Sequence, residues 1–456
     1  VAREATAAAG GLGYPPVRAE ALVQTASALD ARETGDARAE AEQLYFEALD
    51  IAEAERHDEL AARIWNRLVH LATASATDRA HAWWRRNEAA VRRLGDNAYE
   101  QAKLHYARGE IYYRDGKYTR AADEQKLAID AIARAPAHRV ALSHYYDALA
   151  KSVEKLNNLD EAIRLDERAL AIATEAFGAG HPHVIKIQSN FGKTLENGGQ
   201  LDRARSVLED ALKSMPARDR DSHPQAAKLH SNLSDLYYRD GRFDRAAEHG
   251  RAALEIYRRT RSPDHLIAEA ITTLADVEVR RRNFQDALAL FEDALALRRR
   301  SLSPDHYQTG VTEGGIAEVL VELERYDEAT VHAVEAERIF ERGGMRRPEY
   351  QSWILTVHGE ALVGQRQLRA ALPVLERALA LYGDRPADPT NQALAMATLA
   401  RALHELGQDR DRVRALAERA HAIFTARGAM DAHYRDAVAR FLDRLPAQPT
   451  QPARSK

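Results

Sequence analysis

The feature that most constrains this chain is a pair of small residues, seven positions apart, that recurs along almost its whole length. The pairs fall at Ala41/Ala48, Ala82/Ala89, Ala121/Ala128, Ala162/Ala169, Ala204/Ala211, Ala246/Ala253, Ala287/Ala294, Ala329/Ala336, Ala371/Ala378 and Val413/Ala420. Their first members stand 39 to 42 residues apart. Seven residues is close to two helical turns, so each pair lies on one face of a helix. Two missing side chains on that face let a second helix approach closely. Self-similarity at this period marks stacked units, each burying its apolar face only against its neighbours.

Three residues before most first members stands a large apolar or aromatic residue: Tyr118, Leu159, Leu201, Phe243, Phe284, Tyr326 or Leu368. Two residues earlier comes a turn position, filled by Gly116, Asn157, Gly199 and Gly241 in four units. Those residue types suit a helix end that turns through a left-handed conformation. Seven residues before the turn lies another small residue, at Gly109, Ala150, Gly192, Ser234, Ala275, Ala317 and Gly359. Each unit therefore reads as a helical hairpin whose two helices cross at small residues. Ten hairpins tile residues 17–445 together with a final capping helix over 431–445. Residues 1–16 read as an N-terminal tail and the Pro-rich 446–456 as a disordered one. No stretch alternates apolar and polar residues, so no strand is expected.

The pattern Gly116-x-Tyr118-x-x-Ala121 with Ala128 resembles the tetratricopeptide repeat, and it recurs in register along the chain. The period of about 42 exceeds the usual 34 of that family, and such long repeats look like those of kinesin light chains. The resemblance implies an all-α fold, a right-handed superhelical solenoid of about ten hairpins. A second resemblance rests on Ala39-x-Ala41-Glu42, Ala48-x-x-x-Ala52-Glu53, Asp58-x-x-Ala61-Ala62, Ala82-Trp83-Trp84 and Ala89-Ala90-x-x-Arg93. That stretch is similar to the C-terminal repeat region of large Ser/Thr protein kinases from myxobacteria. It implies a kinase domain, often with a membrane span, ahead of this segment. The Ala/Gly-rich start Val1–Gly13, which lacks an initiator Met, fits an excised or processed part of a longer chain.

Chemistry is not expected from these residues. There are no cysteines, so thiolate zinc sites, iron–sulfur clusters and cysteine nucleophiles are excluded. No Gly-x-Gly-x-x-Gly, His-Arg-Asp or Asp-Phe-Gly occurs, and His138-Arg139 is followed by Val140. Gly10-Gly11-Leu12-Gly13 has no strand before it, and His404-Glu405 meets Gln408 where a metalloprotease needs histidine. Asp219-Arg220-Asp221-Ser222 is too short for a calcium loop. The linker histidines of His181-Pro182, His223-Pro224, Ser262-Pro263-Asp264-His265 and Ser303-Pro304-Asp305-His306 repeat from unit to unit. Helix packing separates such equivalents by roughly 8–10 Å, too far for one zinc ion with nitrogen ligands at about 2 Å. Proline there suits the first helical turn, and Asp264 and Asp305 are expected to cap it. We expect neither enzyme activity, cofactor nor metal.

The partner reading follows from the groove. With 65 Lys+Arg against 69 Asp+Glu, the net charge is −4 and no bulk basic field suggests nucleic acid. Arg280-Arg281-Arg282 and Arg298-Arg299-Arg300 stand at helix ends, where they complement the terminal carbonyls. Trp83-Trp84 cannot both face one core, so one is expected at an edge. In tetratricopeptide repeats the first helix of each hairpin lines the concave face. Carried over, the positions nine and six before the turn glycine are Asn190 and Lys193, then Asn232 and Asp235. The resemblance implies that such asparagines hold the backbone of an extended peptide. Around them Lys151, Lys155, Lys186, Lys228 and Arg239, with Tyr113 and Tyr238, suggest a basic, partly aromatic groove for a protein or acidic peptide.

The function expected is a non-catalytic interaction scaffold, as the sensing or scaffolding tail of a bacterial Ser/Thr kinase. Two alternatives stay open: a free-standing cytosolic adaptor, or a repeat domain sensing a small molecule or nucleic acid. No run approaches the ~18 apolar residues of a membrane span. The expected location is cytoplasmic, or extracytoplasmic if the segment follows a membrane span in a longer chain.

Overall fold

A computed structural model describes residues 14–30, 35–73, 77–343, 348–383 and 389–446. The expected tails lie mostly outside these residues, as does Gly10-Gly11-Leu12-Gly13. Every regular element among the described residues is helical. The chain divides into two compact units, Val1–Pro216 and Ala217–Lys456.

The first unit stacks five hairpins. They are α1 (Pro15–Asp30) with α2 (Gly35–Ala54), α3 (Asp58–Thr73) with α4 (Thr77–Arg93), and α5 (Ala98–Arg114) with α6 (Tyr118–Ala133). Then come α7 (Ala141–Lys155) with α8 (Leu159–Phe177), and α9 (Pro182–Asn197) with α10 (Leu201–Ser214). The second unit opens with the single turn α11 (Ala217–Arg220) and continues with α12 (Pro224–Arg239) and α13 (Phe243–Arg259). Its next pairs are α14 (Asp264–Arg280) with α15 (Phe284–Ser301), and α16 (Tyr307–Glu322) with α17 (Tyr326–Arg342). The last are α18 (Pro348–Gly364) with α19 (Leu368–Tyr382), and α20 (Pro389–Glu405) with α21 (Arg410–Ala426). The capping helix α22 (Ala432–Arg444) ends the unit.

The small residues sit where the helices cross. Both members of nine of the ten pairs are buried, Ala169 and Ala211 completely. Opposite them, a Cβ added to Gly192 would lie 2.5 Å from the Leu208 side chain, and one on Gly359 would lie 2.4 Å from Leu375. The tenth pair is a correction. Ala82 and Ala89 are exposed, and Ala80 and Asn87 take the crossing positions at 0% and 1% exposure. The alanine-rich helix α4 carries two candidate stripes two positions apart, and Trp84 selects between them. Its indole is buried and donates to the Leu104 carbonyl at 2.9 Å, which turns Ala80 inward. Trp83 stands at the edge, with its ring edge-on to Phe46 at 5.5 Å and Arg79 over its face at 4.5 Å.

The turns close as the glycines and asparagine suggest. Gly116, Asn157, Gly199 and Gly241 all have positive φ. Around Gly116, the Lys117 N–H donates to the Tyr112 carbonyl at 2.9 Å and the Gly116 N–H to the Tyr113 carbonyl at 3.0 Å. This pair of bonds satisfies carbonyls that the helix end would orphan. Arg56, Arg282, Glu324 and Arg366 hold the same conformation without glycine's freedom.

Asp264 and Asp305 do not cap their helices. Asp264 is already the first residue of α14, and Asp305 accepts from the Arg338 guanidinium at 2.8 Å. The caps are imidazoles instead. Nδ1 of His181, His223 and His306 accepts from the backbone N–H of His183, Gln225 and Gln308 at 3.2, 3.1 and 3.3 Å. Three of the four repeating histidines thus do helix-terminal work, each on its own hairpin, while α14 starts after Pro263 with no side-chain cap and His265 lies within its first turn.

Candidate functional site

Within the first unit, α7 and α9 carry the expected groove residues. Lys186, Asn190 and Lys193 follow at spacings of four and three on α9, so they share one helix face. The Asn190 amide donates to Asp147 Oδ1 at 2.8 Å, and the Lys151 ammonium donates to Asp147 Oδ2 at 2.7 Å. Asp147 therefore joins two consecutive first helices and fixes the amide in one orientation. Two turns further on, the Asn197 amide donates to Glu154 Oε1 at 2.8 Å. Lys193 pairs with the buried Glu196 at 3.1 Å. Lys155 and Lys186 are exposed and form no ion pair among the described residues. The cations on this face are thus interleaved with carboxylates, which the choice of lysines by position did not count.

Histidines flank this face. The rings of His144 and His183 stack at 3.8 Å, and the Ser143 hydroxyl meets His183 Nε2 at 2.8 Å. Burial, reinforced by His144, pushes the His183 imidazole down to about 4, so it is neutral at pH 7. Behind the face, Asp166 on α8 is 1% exposed. Burial outweighs the neighbouring Thr194 hydroxyl and pushes its carboxyl up to about 8.

The second unit holds the other expected residues on α12. Lys228 and Arg239 are exposed, whereas Asn232, Asp235 and Tyr238 are half-buried. The Arg280 guanidinium of α14 donates to the Tyr238 hydroxyl at 3.0 Å, which repeats the link between first helices. The ladder continues upward: the Trp353 indole donates to Glu318 at 3.0 Å and the Thr398 hydroxyl to Glu360 at 3.4 Å. The five residues on α7 and α9 and the five on α12 thus lie in separate units, each set on its own first helices.

The sequence reading missed Asp147, Arg280, Glu318 and Glu360. Only Asp147 left a signal, its i,i+4 spacing to Lys151. The others act across one repeat period of 35 to 42 residues, where partner choice depends on side-chain reach. Among the described residues, no group of three metal-ligating side chains converges, and no helix is long and apolar enough to cross a membrane.

Comparison with known proteins places this geometry. A family model described as tetratricopeptide repeat matches residues 139–217, 225–299 and 266–342. Among curated proteins nothing matches the sequence. Among solved structures, the apo form of the quorum sensor NprR from B. thuringiensis is similar at TM-score 0.56 and 14% identity. That similarity covers 80% of this chain and 97% of NprR. Nearly identical TPR-like repeats of a kinesin light chain from Podosopora anserina are similar at TM-score 0.40 and 20% identity. They cover 45% of this chain and 98% of theirs. The matched stretches coincide with hairpins α7 to α10 and α12 to α17, whose small-residue crossings and left-handed turns are those described above. Residues 139–217 and 225–342 therefore carry tetratricopeptide repeats.

Proposed function

We propose that this chain is a non-catalytic scaffold that takes a partner protein, through an extended peptide segment, on the face of its first helices. The observation that carries the reading is the clasp of Asp147, Lys151 and Asn190. An amide held rigidly at the surface gives a peptide backbone both donor and acceptor groups without paying again to order the side chain. Lys155 and Lys186 beside it favour a segment bearing acidic side chains. On α12, Lys228, Asn232, Asp235, Tyr238 and Arg239 offer the second unit's counterpart. The NprR likeness supports the fold, and its description as a quorum sensor leaves a sensing role compatible with this face. Attachment to a Ser/Thr kinase rests on the resemblance of residues 19–96 alone.

The test is selection of a displayed random-peptide library against the full chain, with the selected peptides titrated against variants. Peptides that lose tenfold or more in affinity on Asn190→Ala support the reading. Asn190→Ala must retain the helical circular dichroism of the parent for the comparison to count. Peptides that bind the variant and the parent equally well overturn the assignment of this face.

A further inference from the structure

The capping helix does more than cover the last hairpin. Helix α22 is anchored at its start, where the Thr390 hydroxyl donates to Asp431 at 2.6 Å and Arg427 reaches the same carboxylate at 3.3 Å. Along α22, Val438 is buried in the core of the last hairpins. Phe441 stands edge-on to His404 at 5.5 Å. Between these anchors the helix does not close down on the first helices. It spans a cavity of about 570 Å³ over the ends of α16, α18 and α20. That is the size of a site for a small organic ligand.

The cavity is chemically divided. Its inner part carries the carboxylates of Glu322 and Glu360, beside the aromatic rings of Tyr326, Phe424 and Tyr434. Phe424 and Tyr434 stack at 5.5 Å. Glu322 accepts from the Tyr434 hydroxyl and has Arg282 no nearer than 4.0 Å, and Glu360 accepts from the Thr398 hydroxyl at 3.4 Å. Enclosure, together with Glu322 and Glu318 and against the Arg401 charge, pushes the Glu360 carboxyl up to about 8. The exposed rim is mainly cationic, with Glu324 its one carboxylate. Arg401, Arg440 and Arg444 are exposed, and none has an ion pair among the described residues.

The geometry points to a binding site for a guanidinium-bearing zwitterion, with its cation against Glu322 and Glu360 and its carboxylate at Arg401, Arg440 and Arg444. A guanidinium suits the inner part because its flat face stacks on aromatic rings while its edge pairs with carboxylates. A carboxylate suits the rim because arginine meets it in a bidentate fork. A free amino acid and the C-terminal residue of a peptide both carry this chemistry. The site lies wholly in the second unit, so its failure leaves the α7–α9 proposal untouched.

The test is calorimetric titration of the full chain with L-arginine and with Ala-Ala-Arg. Three controls lack one group each: agmatine and Ala-Ala-Arg amide lack the carboxylate, and L-norvaline lacks the guanidinium. Either parent ligand should bind at least tenfold more tightly than its carboxylate-free control, and norvaline should not bind. The tighter of L-arginine and Ala-Ala-Arg identifies the source. Glu360→Gln, which copies the neutral acid and so should preserve the fold, should weaken the winner tenfold or more. In the parent, titration at pH 7 in two buffers of different ionisation enthalpy should show a proton released on binding. No binding by either ligand up to 10 mM, or equal binding by Glu360→Gln, overturns the proposal.

Discussion

Arg56 closes a turn with φ of +53° and no side-chain partner among the described residues. A side chain in the left-handed region costs about 1 kcal/mol, and glycine removes that cost. Arg56→Gly should therefore raise stability by about 1 kcal/mol, read as a higher urea midpoint at unchanged slope. Asn87 shows the opposite fault. It fills a helix crossing at 1% exposure, and neither polar atom of its amide has a hydrogen-bond partner among the described residues. Alanine fills the equivalent position in every other unit. Asn87→Ala should stabilise the chain by about 1–2 kcal/mol, because a buried unpaired amide costs that much, and a lowered midpoint would show that the amide is satisfied by water.

At the scale of the helix, close approach is the governing constraint. Ala169 and Ala211 are fully buried. Their substitution by arginine forces a long charged chain into a crossing with no room and no partner. Either change should destabilise by several kcal/mol, with loss of helical circular dichroism at a temperature where the parent stays folded. This constraint is also why the fold was legible in the sequence. Small residues at spacing seven and positive-φ residues two positions after a helix end are local features, and they placed nine of ten crossings. The exception, α4, fails where alanine is too common to discriminate, and the choice falls to a tryptophan's hydrogen bond to the next hairpin. The candidate site was less legible. The positions Asn190 and Lys193 came from the repeat's register, but Asp147, which holds Asn190, and Arg280, which holds Tyr238, are long-range partners. The histidine caps escaped because an imidazole at a helix start looks the same in sequence whether it binds a metal or a backbone N–H.

For the molecule as a whole, Asp166 makes acidity a determinant of stability. Its carboxyl titrates at about 8 in the folded chain against an ordinary value of 3.8. Below about pH 4 it is protonated in both states and costs nothing. As pH rises toward 8, the unfolded chain gives up its proton while the folded chain keeps it. Stability therefore falls with pH, by roughly 5 kcal/mol across the whole window if no other group compensates. Asp166→Asn should flatten that decline. Urea unfolding at pH 5 and pH 8 measures it, with Trp65, Trp83 and Trp84 reporting on the first unit. An equal pH dependence in parent and variant would place the proton elsewhere.

The polar links between successive first helices also limit how the hairpins can be rearranged. Their apolar crossings are nearly interchangeable, so a whole hairpin could be removed with every helix still in register. The clasps are not interchangeable. Excising residues 139–180 would set Asn190 over Tyr106 instead of Asp147, and Asn197 over Tyr113 instead of Glu154, by the spacing of each to its turn. The shortened chain would stack well and mate badly, two amides facing phenols. Each hairpin is therefore addressed to its own neighbour, and the order of the units is written in these few polar side chains.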